Sequence, residues 1–545
     1  MPVASSGTIS LNDFHVEAGG SSGTNCSIND SDIRGLIGKS SEAQMSFNEW
    51  YGASSVAYWG VVWADGHGVT ATTNQYPYFH GSNRYGGGNP VYDSTNNKLY
   101  VFVFTEPSSG SFKYGAGIIE LDLSDGSTGR WGTHNYSTGN FRPNSTMAHG
   151  NNLGIIDSDT LITTMDIYGA NTTAATARAT TMMLMDHSGS SDWTVPSGGH
   201  YVTDLGNAAD IVGGDHDYGG LKIIDSKIIH FGKHSASTSG NGFCWIECFD
   251  TDFGNGDHST FDCSDSDGDP LRLQDVAKIG TNSYAICGHT TDNDKGVVGN
   301  FTLGGAANNT AQSWSGVRHT FSGGTMTRLC CIAVDGSGNR YCAGMSEGNT
   351  GIVAKFNSSN AFQWAREVSI TSGYYLKLGS IAIQSGGNII VAGVETNFSN
   401  SAQGMWVAAF NSSGTIQWQK HVFYELNTTS TKQTRMSWKG ANQGTFYQRS
   451  CMCLGPSDSV VLAYRSGAIA IHGDGSTSNQ TPTNWSIQGA SRTITNRTSS
   501  EATAISYTAS SSPDFKDRLD VGGSADDGGT ISAGGIDEAK VTVSD

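Results

Sequence analysis

Proline is scarce in this chain, 10 residues in 545, and charge is thin, since Asp, Glu, Lys and Arg together make up only 15%. The 31 basic residues face 49 acids for a formal net charge of −18, and nowhere do the bases cluster. A phosphate backbone would be repelled over most of such a surface, so nucleic acid is not an expected partner. Long apolar runs are missing too: no stretch reaches the roughly 18 residues that a membrane span needs. The start, MPVASSGTIS, has neither the basic nor the apolar region of an export signal. The expectation is a soluble protein without membrane insertion.

What is plentiful is glycine, 72 residues, with Ser, Thr and Asn in nearly every segment. Short strands joined by tight turns need these residues, whereas long helices are weakened by them. The chain therefore reads as mostly β. Its cysteines, Cys26, Cys244, Cys248, Cys263, Cys287, Cys330, Cys331, Cys342, Cys451 and Cys453, lie scattered and mostly inside apolar stretches. That placement reads as buried thiols made in a reducing compartment, not as a disulfide framework. Cys244 and Cys248 lack a second pair at zinc-finger spacing. Asn-x-Ser/Thr triplets such as Asn144-Ser145-Thr146 and Asn357-Ser358-Ser359 arise by chance in this composition.

Near the N-terminus one pattern is written three times: Ser10 to Asp13, Ser27 to Asp30 and Ser46 to Glu49, each as Ser, apolar, Asn, acid. This is capping-box spacing, in which the Ser hydroxyl takes the N3 amide and the N3 acid takes the Ser amide. Three short helices are expected, each broken by glycine and too short to persist alone in water. Their apolar residues are expected to need either one another plus a neighbour, or another subunit, and Phe14, Ile33, Leu36, Trp50 and Tyr51 are assigned to a docking surface.

The string ISLNDFHVEAGG…SINDSDIRGLIGKSS…MSFNEWYGAS, residues 8–54, resembles a short N-terminal module carried by virion proteins of tailed bacteriophages, particularly marine and cyanobacterial phages. There it precedes varied β-rich domains. The resemblance implies that residues 1–54 dock the chain to other virion proteins; the alternative is that they cap the next domain.

Further on, IAVDGSGNRYCAG (332–344) matches IAIQSGGNIIVAG (381–393), and IVAKFNSSNAFQWAREV (352–368) matches WVAAFNSSGTIQWQKHV (406–422). Weaker copies start near residues 89, 151, 219, 276 and 450, which makes seven. A period of roughly 50 to 60 residues with about four strands per repeat is the signature of a β-propeller, whose blades bury their faces only against one another. Residues 55–498 are assigned to about seven such blades and 499–545 to a β-rich tail or arm. Strands within 55–65 and 485–498 are the candidates for joining the ends. The repeats also resemble the bacterial β-propeller repeat and the tryptophan-docked repeat of quinoprotein dehydrogenases, in AAFNSSGTIQW above all. An indole carries roughly 150–250 Å² of surface, so Trp131, Trp193, Trp314, Trp364, Trp418 and Trp485 are expected to be blade core.

The quinoprotein likeness implies vicinal cysteines near a quinone, but Cys330-Cys331 opens an apolar strand and no calcium ligand set can be carried over. Alternate acids in DCSDSDGDP, Asp262 and then Asp265, Asp267 and Asp269, could wrap a metal, yet EF-hand spacing is absent and a solvated loop is the simpler reading. Histidines and carboxylates gather in GGDHDYGG, HFGKH and GDHS without anything to bring them together. No cofactor is expected.

Together these readings point to a virion structural protein made in the host cytoplasm: a fibre, baseplate or tail-tip component that presents a propeller to host-surface glycan or braces its neighbours, and that acts as a homo-oligomer. An architectural head or collar protein and a polysaccharide depolymerase are the alternatives.

Overall fold

The computed structural model describes residues 8–18, 22–30, 33–34, 44, 46–50, 59–63, 89–105, 115–123, 128–136, 142–143, 153–168, 178–186, 200–204, 217–234, 243–251, 257–262, 271–290, 295–304, 311–322, 327–346, 350–369, 374–397, 403–424, 451–463, 467–475, 485–510, 529–534 and 538–542. The mostly β expectation holds. Helix is confined to α1 (Leu11–Glu17), residues 33–34 and short 3-10 turns among the described residues.

A first strand, β1 (Trp59–Trp63), precedes seven antiparallel units in the chain. Unit 1 is β2 (Asn89–Asp93), β3 (Lys98–Thr105), β4 (Gly115–Asp122) and β5 (Thr128–Tyr136). In unit 2, β6 (Arg142–Pro143) and β7 (Leu153–Ile155) both pair with β8 (Thr160–Tyr168), which leads to β9 (Arg178–Asp186) and β10 (His200–Asp204). Unit 3 holds β11 (Asp217–Ile224), β12 (Lys227–His234), β13 (Phe243–Asp250) and β14 (Asp257–Asp262). Unit 4 holds β15 (Leu271–Gly280), β16 (Ser283–Thr290), β17 (Gly296–Leu303) and β18 (Ala311–Phe321). Unit 5 holds β19 (Thr327–Val334), β20 (Arg340–Ser346), β21 (Gly351–Phe356) and β22 (Phe362–Val368). Unit 6 holds β23 (Tyr374–Ile383), β24 (Ile389–Asn397), β25 (Gln403–Phe410) and β26 (Ile416–Tyr424). Unit 7 is β27 (Met452–Leu454), β28 (Val460–Ala463) and β29 (Gly467–Ile471), and β1 joins it as the fourth strand.

The first strand of each unit, with β7 counted for unit 2, lies beside that of the next: β2 by β7, then β11, β15, β19, β23 and β27, which contacts β2. Apolar side chains fill the spaces between units. Ile229, Phe231 and Cys244 of unit 3 pack with Leu271, Val276 and Trp314 of unit 4. Between units 6 and 7 sit Ile390, Val407 and Val422 with Val460, Leu462 and Ile469. Leu99 and Ile119 of unit 1 meet Val461 and Ala468 of unit 7. A strand such as NIIVAG buries both faces because a neighbouring unit stands on each side.

In units 4, 5 and 6 the first strand bulges at the same point, between Leu273 and Asp275, Leu329 and Cys331, and Leu378 and Ser380. Opposite each bulge stands a glycine: Gly288, Gly344 and Gly393. A Cβ on Gly344 would overlap the carbonyl of Arg328, so the bulge demands glycine there. That contact explains why ICG, CAG and VAG recur in the sequence.

Five C-terminal strands follow: β30 (Trp485–Gly489), β31 (Ile494–Arg497), β32 (Ser499–Ser510), β33 (Gly529–Gly534) and β34 (Glu538–Thr542). They add antiparallel strands to β26, β22, β18, β5 and β1 in that order, and β32 also reaches β14. Two expectations are corrected here. The strand at 485–489 pairs in unit 6 and does not join the ends; β1 does so by pairing with β29. The boundary at 498/499 falls inside one continuous strap, and residues 529–542 pair with this chain's own units, so the described tail is no arm reaching a neighbour. Strand edges with unpaired amides attract any available extended segment, and the tail is the segment at hand.

Candidate functional site

In the N-terminal module the first triplet forms the full capping box. The Ser10 hydroxyl accepts the Asp13 amide at 3.3 Å, and the Asp13 carboxylate accepts the Ser10 amide at 2.6 Å. At the second, the Asp30 carboxylate accepts the Ser27 amide at 2.7 Å, but the Ser27 hydroxyl takes the Asn29 amide, at 3.1 Å. Ser46 leads into a 3-10 turn, Phe47–Trp50, which contains Glu49. The docking surface expected of Phe14, Ile33 and Trp50 is corrected: all three are fully buried in one nucleus with Leu11, Cys26 and Ile28 around them. Phe14 stacks on Trp50 at 5.0 Å, and the indole N–H donates to the Ile33 carbonyl at 3.3 Å. Three short segments, too short to bury anything alone, bury one another. Leu36 and Tyr51 lie outside the described residues. Among the described residues, the large apolar side chains left exposed are Phe47, 50% exposed, and Val16, 40% exposed.

The recurring tryptophans divide by position. Trp314 is buried in the core between units 3 and 4. Trp364 and Trp418 are half-buried, and each lies on a turn of the following unit. Trp364 Nε1 donates to the Ser412 carbonyl at 3.1 Å, and Trp418 Nε1 donates to the Gly473 carbonyl at 3.2 Å. Beneath them Gly414 and Gly475 adopt φ of +78° and +72°, with their faces against the indoles. Arg366 completes the first dock by stacking on Trp364 and donating from Nε to the Gly414 carbonyl at 2.8 Å. The turn itself is shaped by Asn411, whose carbonyl oxygen accepts the Ser413 and Thr415 amides. Trp131 lies on β5 opposite Ile119, and Trp485 on β30 opposite Tyr424. Trp193 and the acids Asp265, Asp267 and Asp269 lie outside the described residues. Trp406, which the repeat pattern did not single out, is fully buried between units 5 and 6.

A cavity of about 430 Å³ is lined by residues from the first strands of all seven units, including Asn89, Leu153, Lys222, Asp275, Cys331, Ser380 and Met452. Its charges are committed. Lys222 Nζ lies 3.1 Å from Asp275 Oδ1, and the other carboxylate oxygen accepts the Ile332 amide of unit 5 at 3.0 Å. At the equivalent place two units on, Ser380 Oγ accepts the Cys451 amide of unit 7 at 2.7 Å. The side chains after the bulges of units 4 and 6 thus hold the next unit's backbone, whereas Cys331 Sγ bonds the Ala343 carbonyl within unit 5. Burial pushes the Cys331 and Cys453 thiols far above the ordinary cysteine range, which keeps them protonated and poor as nucleophiles. The cavity is equipped for bracing more than for covalent chemistry.

Titratable side chains are also buried elsewhere in the units. Lys377 on β23 is almost fully buried; desolvation, reinforced by the nearby Arg328 cation, lowers its amine to about 7. His230 and Glu247 pair at 2.8 Å across β12 and β13, both buried, so HFGKH contributes to the interior of unit 3. Among the described residues no group of three or more His, Cys, Asp or Glu side chains is placed to hold a metal, and no helix is long and apolar enough to cross a membrane.

No family model matches the chain, and no curated protein matches it. Solved structures give faint likenesses. An acylaminoacyl peptidase from Pyrococcus horikoshii is 8% identical over 61% of this chain and 51% of its own, with a TM-score of 0.25. The chain thus spans about half the length of that peptidase. A fructofuranosidase from Schwanniomyces occidentalis is 8% identical over 79% of this chain and 97% of its own, TM-score 0.24. A sucrose-6-phosphate hydrolase from Lactobacillus gasseri is 11% identical over 84% and 94%, TM-score 0.22. Scores this low carry no argument about activity.

Proposed function

We propose that the chain is a virion structural protein of a tailed bacteriophage, in which the seven units are the blades of a β-propeller and the N-terminal module docks the chain into the particle. The observation that carries the propeller reading is the succession of first strands that returns from β27 to β2, with all seven lining one cavity. The docking reading rests on the resemblance over residues 8–54. It is helped by a module that has a nucleus of its own and still leaves Phe47 and Val16 outside it.

The place that suits this build is the tail, as a fibre, baseplate or tail-tip component whose propeller loops meet host-surface glycan or brace adjacent subunits. Many copies per particle would turn weak glycan contacts into firm attachment. Bracketed cavity charges and protonated thiols fit a binder or brace better than a hydrolase.

Cryo-electron microscopy of particles made by the genome that encodes the chain tests this directly. The expected map shows the chain in many copies at the tail, with residues 8–54 against another virion protein. Placement on the head or collar would favour the architectural alternative, and absence from the particle would overturn the proposal. Incubating the purified chain with host-surface glycan, followed by retention and reducing-end assays, separates binder from depolymerase.

A further inference from the structure

We propose that the C-terminal strands form a lock that keeps the ring of units closed and makes its opening slow. This rests on the propeller reading of the units and is independent of the virion role.

Closure by β1 on β29 involves three residue pairs, Gly60 with Ile469 to Val62 with Gly467. Left there, β1 would be an edge strand, and edge strands fray without any other part opening. Instead β34 covers its outer side over five pairs, from Trp59 with Thr542 to Trp63 with Glu538. The closing strand is therefore internal, and both ladders must break before it leaves. Just before, β33 is bonded to β5 of unit 1. Two consecutive strap strands thus hold unit 1 and unit 7, the two sides of the joint where the ring would part.

The rest of the strap extends the same principle. It visits units 6, 5, 4 and 3 in reverse chain order, and β32 pairs with both β18 and β14, which fuses units 3 and 4 into one nine-stranded sheet. Side chains fasten the corners. Arg492 bonds Glu395, which also takes His421 at 2.8 Å, while the Arg492 amide donates to Gln419 Oε1 at 3.0 Å. Arg497 Nε donates to Glu367 Oε2 at 2.7 Å, and Thr498 and Ser322 exchange bonds at the next corner. Burial works against the Glu395 charge, but the bonds from His421 and Arg492 outweigh it and hold the carboxyl below its usual range. A strap fastened at successive corners leaves by sequential peeling, so its contribution appears in the unfolding rate.

The test is a full-length chain with a protease site placed between residues 475 and 485, folded first and then cut. If the strap is a lock, it stays bound after cutting. Once mild denaturant strips it, residues 59–63 exchange their amide hydrogens faster and unfolding accelerates by about tenfold or more. In the uncut chain, the pair Glu395→Gln with Glu367→Gln is expected to raise the unfolding rate several-fold. Failure to strip the strap short of global unfolding also supports the lock. A strap-free ring that unfolds at the uncut rate with residues 59–63 still protected overturns it. Negative-stain averages of the uncut chain check for a seven-membered ring separately. Loss of that ring sinks the propeller reading, whereas an intact ring with an unchanged rate sinks only the lock.

Discussion

Lys222 on β11 and Asp275 on β15 face each other at 3.1 Å across the joint between units 3 and 4, with Asp275 almost fully buried and Lys222 a third exposed. The asymmetry in burial determines what each substitution does. Asp275 also accepts the amides of Val276 and Ile332, the latter in unit 5, so its carboxylate ties three consecutive units. Asp275→Ala strands a cation and two amides and is expected to cost about 2–4 kcal/mol. Lys222→Met leaves the buried carboxylate its two amides but no cation, and is expected to cost less than Asp275→Ala, about 1–2 kcal/mol. Urea unfolding of both variants checks the order; equal losses would show that the carboxylate is not the bracket.

The docked indoles give a second prediction. Gly414 holds φ +78°, and a Cβ there would sit 2.8 Å from the Trp364 ring. Gly414→Ala meets both backbone strain and a clash and is expected to cost about 1–3 kcal/mol. Trp364→Phe keeps most of the apolar contact but loses the donor to Ser412, a loss of about 1 kcal/mol beyond the lost surface. The double variant should cost less than the sum of the two, because removing the indole removes the clash. Additive losses would mean that the two residues do not share one dock.

Much of this was legible in the sequence, and the limits have physical causes. The repeat is plainest in units 4, 5 and 6, where strands such as β20 and β24 bury both faces and run apolar up to a glycine opposite the bulge. FNSS marks turns because Asn357 and Asn411 bond the amides two and four residues on. Strands within 485–498 and a β-rich tail were legible, but the course of the strap along the units was not. Strands such as β31 hold on by backbone pairing with a weak burial pattern, so ITNR carries no alternation to read. Asp275 left a faint signal, an acid inside LRLQDVAKIG where the neighbouring repeats have Cys331 and Ser380. Phe14, Ile33 and Trp50 were recognised as apolar, but a sequence does not say whether such residues face a partner or one another.

The third prediction concerns acid. His319 is fully buried against Phe356, with its ring nitrogens near the Asn360 carbonyl and the Ser499 hydroxyl, and burial lowers it to about 4 despite the carbonyl. An unfolded imidazole titrates near 6.5, so between about pH 6.5 and 4 the unfolded chain binds the extra proton. The contribution is therefore complete above about pH 6.5 and drains away as the pH falls towards 4, on the order of 3 kcal/mol at the acid end. His472, also lowered to about 4 by burial, acts in the same direction. Stability measured from pH 7.5 to 4 should fall through this window, and His319→Gln should flatten the slope while lowering the plateau. An unchanged slope would locate the titration elsewhere.

The module sets folding against docking, and two phenylalanines separate them. Phe14 is fully buried on Trp50, whereas Phe47 packs near both rings, 5.5 Å from Phe14, yet stays half exposed. Phe14→Ala removes the centre of a nucleus with few other members and should unfold α1 and the described segments packed on it, at a cost of about 3–5 kcal/mol. Phe47→Ser should leave most of that nucleus in place, because half of the ring already faces water. If the exposed half meets a virion partner, Phe47→Ser chains should fold, keep the amide protection of α1, and fail to incorporate into particles when supplied in trans. Phe14→Ala chains should fail in both respects. Normal incorporation of Phe47→Ser would move the docking contact off this face, and loss of α1 protection in that variant would make Phe47 part of the fold.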